Sequence, residues 1–172
     1  RLIAACALNI KYTGVDPSDC MQPIYKNIIK TLVSKKDQKK YKVIHKGFEK
    51  TNLKEKFDFI FSSPPFFALE IYEKNNIKQS IKQYLNVKEW REKFLFVLIK
   101  KCYNYLTNGG YFCIHIDHYI KFPYVDHMVK FIKEKTKFKY VGRIYQLTTY
   151  NDKKLINKNL KPRPVFIRIY KK

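Results

Sequence analysis

The stretch Phe57-Asp58-Phe59-Ile60-Phe61-Ser62-Ser63-Pro64-Pro65-Phe66-Phe67 concentrates the chemistry of this sequence. Its apolar half reads as a strand, and two successive prolines end it. Each proline fixes its own φ and offers no N–H, so the chain leaving the strand is stiff and presents carbonyl oxygens as acceptors. A small hydroxyl, Ser63, precedes the prolines and an aromatic ring, Phe66, follows them. The same residue types would also serve a strand that ends in a Pro-Pro turn with both aromatics returning to the core. Asp16, before Pro17, is a second candidate, because a carboxylate accepts two hydrogen bonds side by side. An acid at that place also forms turns and helix caps. Phe48-Glu49 is a third, in a charged stretch where a solvated glutamate would be ordinary. His45, His115, His118 and His127 have no spacing that suggests a metal site, so no metal is expected. His115, inside Cys113-Ile114-His115-Ile116, reads as a core or edge histidine rather than a catalytic base, and Asp58 as structural.

These residues need elements to hold them. Hydrophobic patterning predicts an N-terminal helix from Arg1, a strand over 12–15, and a helix over 23–33 with Ile24, Ile28 and Leu32 on one face. Short strands follow over 41–45 and 57–61. A long helix over 87–106 carries Trp90, Phe94, Val97, Leu98, Cys102 and Tyr105 at helical spacing, and Asn108-Gly109-Gly110 stops it. A strand over 111–116, a helix over 125–135, and strands over 139–147 and 164–170 complete the chain. Alternating strands and helices argue an α/β fold, a mostly parallel sheet with helices on both faces and an antiparallel strand at its C-terminal end. In such sheets ligands bind beyond the carboxyl ends of the strands. Those ends carry Asp16, the Lys46-Gly47-Phe48-Glu49 segment, the Ser-Pro-Pro-Phe segment and Asp117-His118. No repeat or second domain is visible, so a single domain over 1–172 is expected. The polar segment from Glu70 to Ser80 reads as a loop.

With these elements in place, Ser63-Pro64-Pro65-Phe66 resembles the [D/N/S]-P-P-[Y/F/W] motif of class I S-adenosylmethionine-dependent amino-methyltransferases, the DNA N6-adenine and N4-cytosine enzymes. The resemblance implies a Rossmann-like sheet and a catalytic group of Ser63, Pro64, Pro65 and Phe66. An aromatic amine is a poor nucleophile because its lone pair is delocalised into the ring. In the implied site Ser63 and the Pro64 carbonyl accept from both amino N–H groups, and Phe66 stacks on a flipped or single-stranded base. Asp16 would bind the cofactor ribose hydroxyls, Phe48 and Glu49 its adenine, and Ser62 would line the cofactor side. Leu106-Thr107-Asn108-Gly109-Gly110-Tyr111 is similar to the turn before the family's fifth strand. The family's first strand and Gly-rich loop do not appear, and Arg1 to Leu8 resembles the helix that follows that loop. The domain is therefore expected to be incomplete at its N-terminus. Ser63 stands where the strongest form of the motif has Asp or Asn, which leaves cytosine N4 and adenine N6 both open. A protein glutamine methyltransferase and an inactive nucleic-acid-binding subunit are the other readings.

The chain of 172 residues carries 36 Lys and Arg against 14 Asp and Glu, a net charge of +22, with 45% hydrophobic residues, which excludes disorder as the default. Only five bases are arginines, so part of this charge could be compositional. Its distribution is uneven: residues 1–33 carry +2, 34–56 carry +6, 57–129 carry +2 and 130–172 carry +12. Lys153, Lys154, Lys158, Lys161 and Arg163 face only Asp152 in the segment 149–164, which the inferred topology places at the sheet edge of Ser63. They are the expected phosphate contacts of a DNA or RNA partner, DNA being favoured. Lys35, Lys36, Lys39 and Lys40 are expected to be solvated at the opposite edge. No apolar run approaches the roughly 18 residues of a membrane span. Cys6, Cys20, Cys102 and Cys113 form no C-x-x-C pair, and Cys6, Cys102 and Cys113 have apolar neighbours. Buried free thiols and an intracellular, reducing compartment, cytoplasm or nucleus, are expected. No cysteine stands where carbon-5 cytosine chemistry would need a nucleophile.

Overall fold

The computed structural model describes residues 1–67, 77–116, 122–146 and 165–172, which form two compact units. The first comprises residues 1–52 and the described part of 71–85. It contains α1 (Leu2–Ala7), β1 (Tyr12–Val15), α2 (Met21–Leu32) and β2 (Tyr41–Ile44), with a 3₁₀ turn over Phe48–Lys50. β1 and β2 pair in parallel, Tyr12 opposite Tyr41 and Val15 opposite Ile44, so the chain leaves both strands at the same end. The connection of two parallel strands by a helix is what the alternating pattern requires. One expectation fails here: α2 buries none of its residues, and Ile24 and Leu32 remain 48% and 52% exposed. Within this unit a two-stranded sheet is too narrow to cover a 12-residue helix. Residues 77–85 are tied to the same unit by Lys78 Nζ on Asp19 Oδ1 at 2.7 Å and by Lys50 Nζ on Gln83 Oε1; Ser80–Gln83 form the short helix α3.

The second unit, made from the described parts of 53–70 and 86–172, holds a four-stranded sheet of order β3-β4-β6-β5. Its strands are β3 (Phe57–Ser62), β4 (Leu106–His115), β5 (Lys139–Gln146) and β6 (Val165–Lys171). β3 and β4 are parallel, whereas β6 lies antiparallel to both neighbours. The inferred mostly parallel sheet with an antiparallel C-terminal strand is thus observed. Phe112, Cys113 and Ile114 are all buried, as in a strand covered on both faces.

The long helix begins at Asn86, whose side chain accepts from Glu89 N at 2.9 Å, a favourable N-cap. It runs through α4 (Val87–Trp90), a π turn (Arg91–Leu95) and α5 (Phe96–Tyr105). The π turn inserts one residue, so Phe94 and Leu95 are both buried, followed by Leu98, Ile99 and Cys102. Each such fully buried large side chain contributes about 1.5–3 kcal/mol. α6 (Tyr124–Lys135) adds Tyr124, Val125, Met128 and Ile132 to this core.

The helix ends earlier than expected. Tyr105 is its last residue, and β4 already pairs Leu106 with Phe57, while the next pair is Tyr111 with Phe59. Residues 107–110 therefore form an irregularity within the strand rather than the helix stop. Gly109 adopts φ +83°, and a side chain on Gly110 would come within 3.0 Å of the Asp58 carbonyl, so both glycines are required. The cost of ending the helix there is offset by cations. Lys172 Nζ donates to the carbonyls of Tyr103 and Leu106 at 2.8 and 3.0 Å, and Lys56 Nζ to that of Asn104. Burial, and then the charge of Lys56, lowers the Lys172 ammonium pKa. Among the described residues no helix is long and apolar enough to cross a membrane.

Candidate active site

Ser62 is the last residue of β3 and pairs with Ile114, which brings the start of the Ser-Pro-Pro-Phe loop beside the end of β4. There Ser63 Oγ lies 3.0 Å from His115 Nδ1. The Phe66 ring rests against the same imidazole, centroids 5.7 Å apart and planes inclined by 55°. Hydroxyl and ring therefore flank one histidine, although the prolines separate them in sequence. Pro64 is buried, while Ser63, Pro65 and Phe66 keep partial exposure. The segment is clamped by its next residue. Phe67 is 8% exposed and packs edge-on against Trp90 and Phe122, centroids at 5.9 and 6.1 Å. It does so at φ +53°, a conformation costing a bulky residue about 1–2 kcal/mol, so packing holds the backbone in this turn. The alternative in which both aromatics return to the core is true of Phe67 and not of Phe66.

In the other unit Asp16 follows β1 directly, its N–H donating to Ile44 O at 3.0 Å. Its Oδ1 accepts from Ser18 N at 2.8 Å and its Oδ2 from the Tyr25 hydroxyl. Asp16 is thus the turn former that its place before Pro17 allows, and it is also oriented by α2. Burial, and next the bond to Asp16, drives the Tyr25 phenol well above the usual tyrosine range, so Tyr25 keeps its proton and serves as donor. Each carboxylate oxygen retains a lone pair, because a carboxylate offers about four acceptor positions. At the matching end of β2, Thr51 Oγ1 donates to Gly47 O at 2.8 Å and closes the Phe48–Lys50 turn. The Glu49 carboxylate folds over Gly47, where a Cβ would stand 2.7 Å from Oε1. Phe48 and Glu49 are both half-buried, so neither is the freely solvated residue that composition allowed.

The remaining candidates divide plainly. Lys153, Lys154, Lys158, Lys161 and Arg163 lie outside the described residues, as do Asp117, His118 and most of the polar segment after the motif. The strand ends on either side of that basic segment are described. Gln146 pairs with Val165, and Ile167 with His115, so β5 ends and β6 begins at the sheet edge where Ser62 ends β3. Lys40 forms an ion pair with Asp37 at 2.9 Å, and Lys35, Lys36 and Lys39 are exposed, as expected of a solvated cluster. Asp58 accepts from Thr107 Oγ1 at 3.1 Å, a structural role. Cys102 and Cys113 are buried and burial raises both thiol pKa values, whereas Cys20 is exposed and Cys6 only half-buried, because α1 is a short surface helix. No group of acids, histidines and cysteines suited to a metal ion occurs among the described residues.

Two residues escaped the sequence reading. His115 gave no signal because 52 residues separate it from Ser63, and only strand register makes them neighbours. Tyr25 could have been found as a hydroxyl one turn into the helix that follows the acid.

Comparison with known proteins agrees with this geometry. The family model described as Eco57I restriction-modification methylase matches residues 2–152. No curated protein matches the sequence. A solved rRNA methylase from Streptococcus thermophilus superposes with TM-score 0.59 at 12% identity, over 99% of this chain and 78% of that one. A methyltransferase from Pyrococcus furiosus gives 0.58 at 16%, over 99% and 66%. The glycopeptide N-methyltransferase MtfA, solved with S-adenosyl-L-methionine, gives 0.57 at 7%, over 96% and 73%. At these identities the likeness is one of fold, an α/β Rossmann-like class I methyltransferase sheet.

Proposed function

Because the chain belongs to the Eco57I restriction-modification methylase family, we propose that it methylates an exocyclic amino group of a nucleic-acid base, cytosine N4 or adenine N6, in DNA rather than RNA. The observation that supports this most directly is the pairing of Ser63 and Phe66 about His115 at the end of β3. A hydroxyl and the Pro64 carbonyl can accept from both hydrogens of an amino group and turn its lone pair outward. The half-exposed face of Phe66 can stack on the base, for about 1–3 kcal/mol.

The cofactor of this reading is S-adenosylmethionine, which when bound supplies a methyl group activated by a sulfonium. The residues present fit it. Asp16 keeps one acceptor position on each oxygen, fixed by Ser18 and Tyr25, as a vicinal diol requires. Glu49 and Phe48 offer an acceptor and a ring for an adenine, and Ser62 a hydroxyl next to the motif. The basic segment holding Lys153, Lys154, Lys158, Lys161 and Arg163 would supply phosphate contacts, since its flanking strands end at the edge of Ser63. Four cysteines recorded as free thiols accord with a reducing compartment.

Tritium transfer from labelled S-adenosylmethionine, measured in parallel on DNA, RNA and protein, tests the reading. Label in DNA that disappears with the double variant Ser63→Ala, Phe66→Ala supports it. Label in protein alone would assign glutamine methylation, and cofactor-independent nucleic-acid binding without transfer would assign an inactive subunit.

A further inference from the structure

We propose that His115 is a positioning residue that makes Ser63 a hydrogen-bond acceptor, by taking the single proton of its hydroxyl on Nδ1; this rests on the reading of Ser63 given above. A serine hydroxyl carries one donor and two acceptor positions and rotates freely between them. An amino group presents only N–H toward its cradle. With its own proton pointing at the base, Ser63 would oppose donor to donor and leave the amine unoriented. Asp in that position has no such proton, and Asn can turn its carbonyl oxygen forward. The serine form of the motif therefore needs an acceptor behind it.

His115 is placed to be that acceptor. Its Nδ1 stands 3.0 Å from Ser63 Oγ, within hydrogen-bond range. A neutral imidazole protonated on Nε2 offers Nδ1 as acceptor. The ring has little freedom to leave. Its backbone is paired with Ile167 of β6, its neighbours Ile114 and Ile116 are both 0% exposed, and Phe66 packs on its side. The same contact couples the acceptor to the stacking ring, so one imidazole orients both polar and apolar contacts to the base.

The test pairs spectroscopy with a double-variant cycle on the full chain. Nitrogen-15 NMR of the imidazole is expected to show the Nε2–H tautomer, with an Nδ1 resonance that moves in Ser63→Ala. A proton on Nδ1, or an Nδ1 signal indifferent to Ser63→Ala, overturns the proposal, and this measurement needs neither cofactor nor substrate. In the transfer assay His115→Ala should lower kcat about tenfold with KM changed less than threefold. His115→Asn, whose oxygen can take the place of Nδ1, should restore most of it. In a Ser63→Asp background, where the acceptor carries no proton, His115→Ala should cost less than twofold. Equal losses in both backgrounds would mean that His115 merely supports the loop and would overturn the proposal. A wild-type chain that transfers no methyl to any base would refute the functional reading, and the NMR result would still decide the direction of the Ser63–His115 bond.

Discussion

Removing the Asp16 carboxylate gives the most direct measure of how the first unit works. Asp16→Ala deletes the acceptor for Ser18 N and for the Tyr25 hydroxyl, and with it the two lone pairs left for a ligand diol. Hydrogen bonds to a charged acceptor contribute about 1.5–3 kcal/mol each, and the lower value suits a half-buried carboxylate. Two bonds at the lower value amount to about 3 kcal/mol, or about a hundredfold in Kd. Asp16→Asn keeps one acceptor oxygen and turns the other into a donor, so about tenfold is expected. Folding must be separated from binding, because losing the partner of Tyr25 costs about 1–3 kcal/mol of stability by itself. Tyr25→Phe supplies that control, with a comparable loss of stability and a Kd raised only about threefold. Calorimetry with S-adenosylmethionine, with each variant's melting followed by circular dichroism, reads both quantities. If Asp16→Ala stays folded and binds the cofactor as wild type does, Asp16 is a turn former only and the assignment fails.

Three further outcomes are expected. Neutralising Lys153, Lys154, Lys158 and Lys161 together should weaken nucleic-acid binding and flatten its salt dependence more than neutralising Lys35, Lys36, Lys39 and Lys40, and equal effects in a filter-binding titration would contradict the docking. Iodoacetamide should label Cys20 first and Cys102 only after unfolding, since Cys102 is 1% exposed and its thiol is held protonated by burial. Early labelling of Cys102, read by peptide mass, would contradict the core. Burial pushes the Tyr170 phenol up to about 12 from the ordinary 10. Its contribution is therefore complete below pH 10 and lost as pH rises toward 12, at about 1.4 kcal/mol per pH unit, while Tyr170→Phe lacks this loss. Denaturant titrations of the two proteins that stay parallel from pH 9 to 12 would show the phenol to be unperturbed.

Particular elements show where local pattern suffices and where it does not. β1 occupies residues 12–15 as read, because a β-rich run followed by Asp-Pro has few alternatives. The helix ending at Tyr105 was misread because Asn108-Gly109-Gly110 looks like a terminator in isolation. In the fold the same glycines admit the Asp58 carbonyl and meet the C-terminus, with Gly109 N donating to Lys172 O at 2.8 Å. The apolar stripe of α2 has the right period, yet its burial depends on the width of the sheet beside it, which period cannot reveal.

What the sequence determined by itself were the α/β order, the stiff Ser-Pro-Pro-Phe turn, the acid after β1 and the uneven charge. All of these follow from dihedral restriction, side-chain period and composition, which are local properties. Only the tertiary structure decided that Phe67 rather than Phe66 enters the core, that Tyr25 orients Asp16, and that His115 stands behind Ser63. Contacts of that kind depend on parallel strand register and helix packing, which bring together residues far apart along the chain.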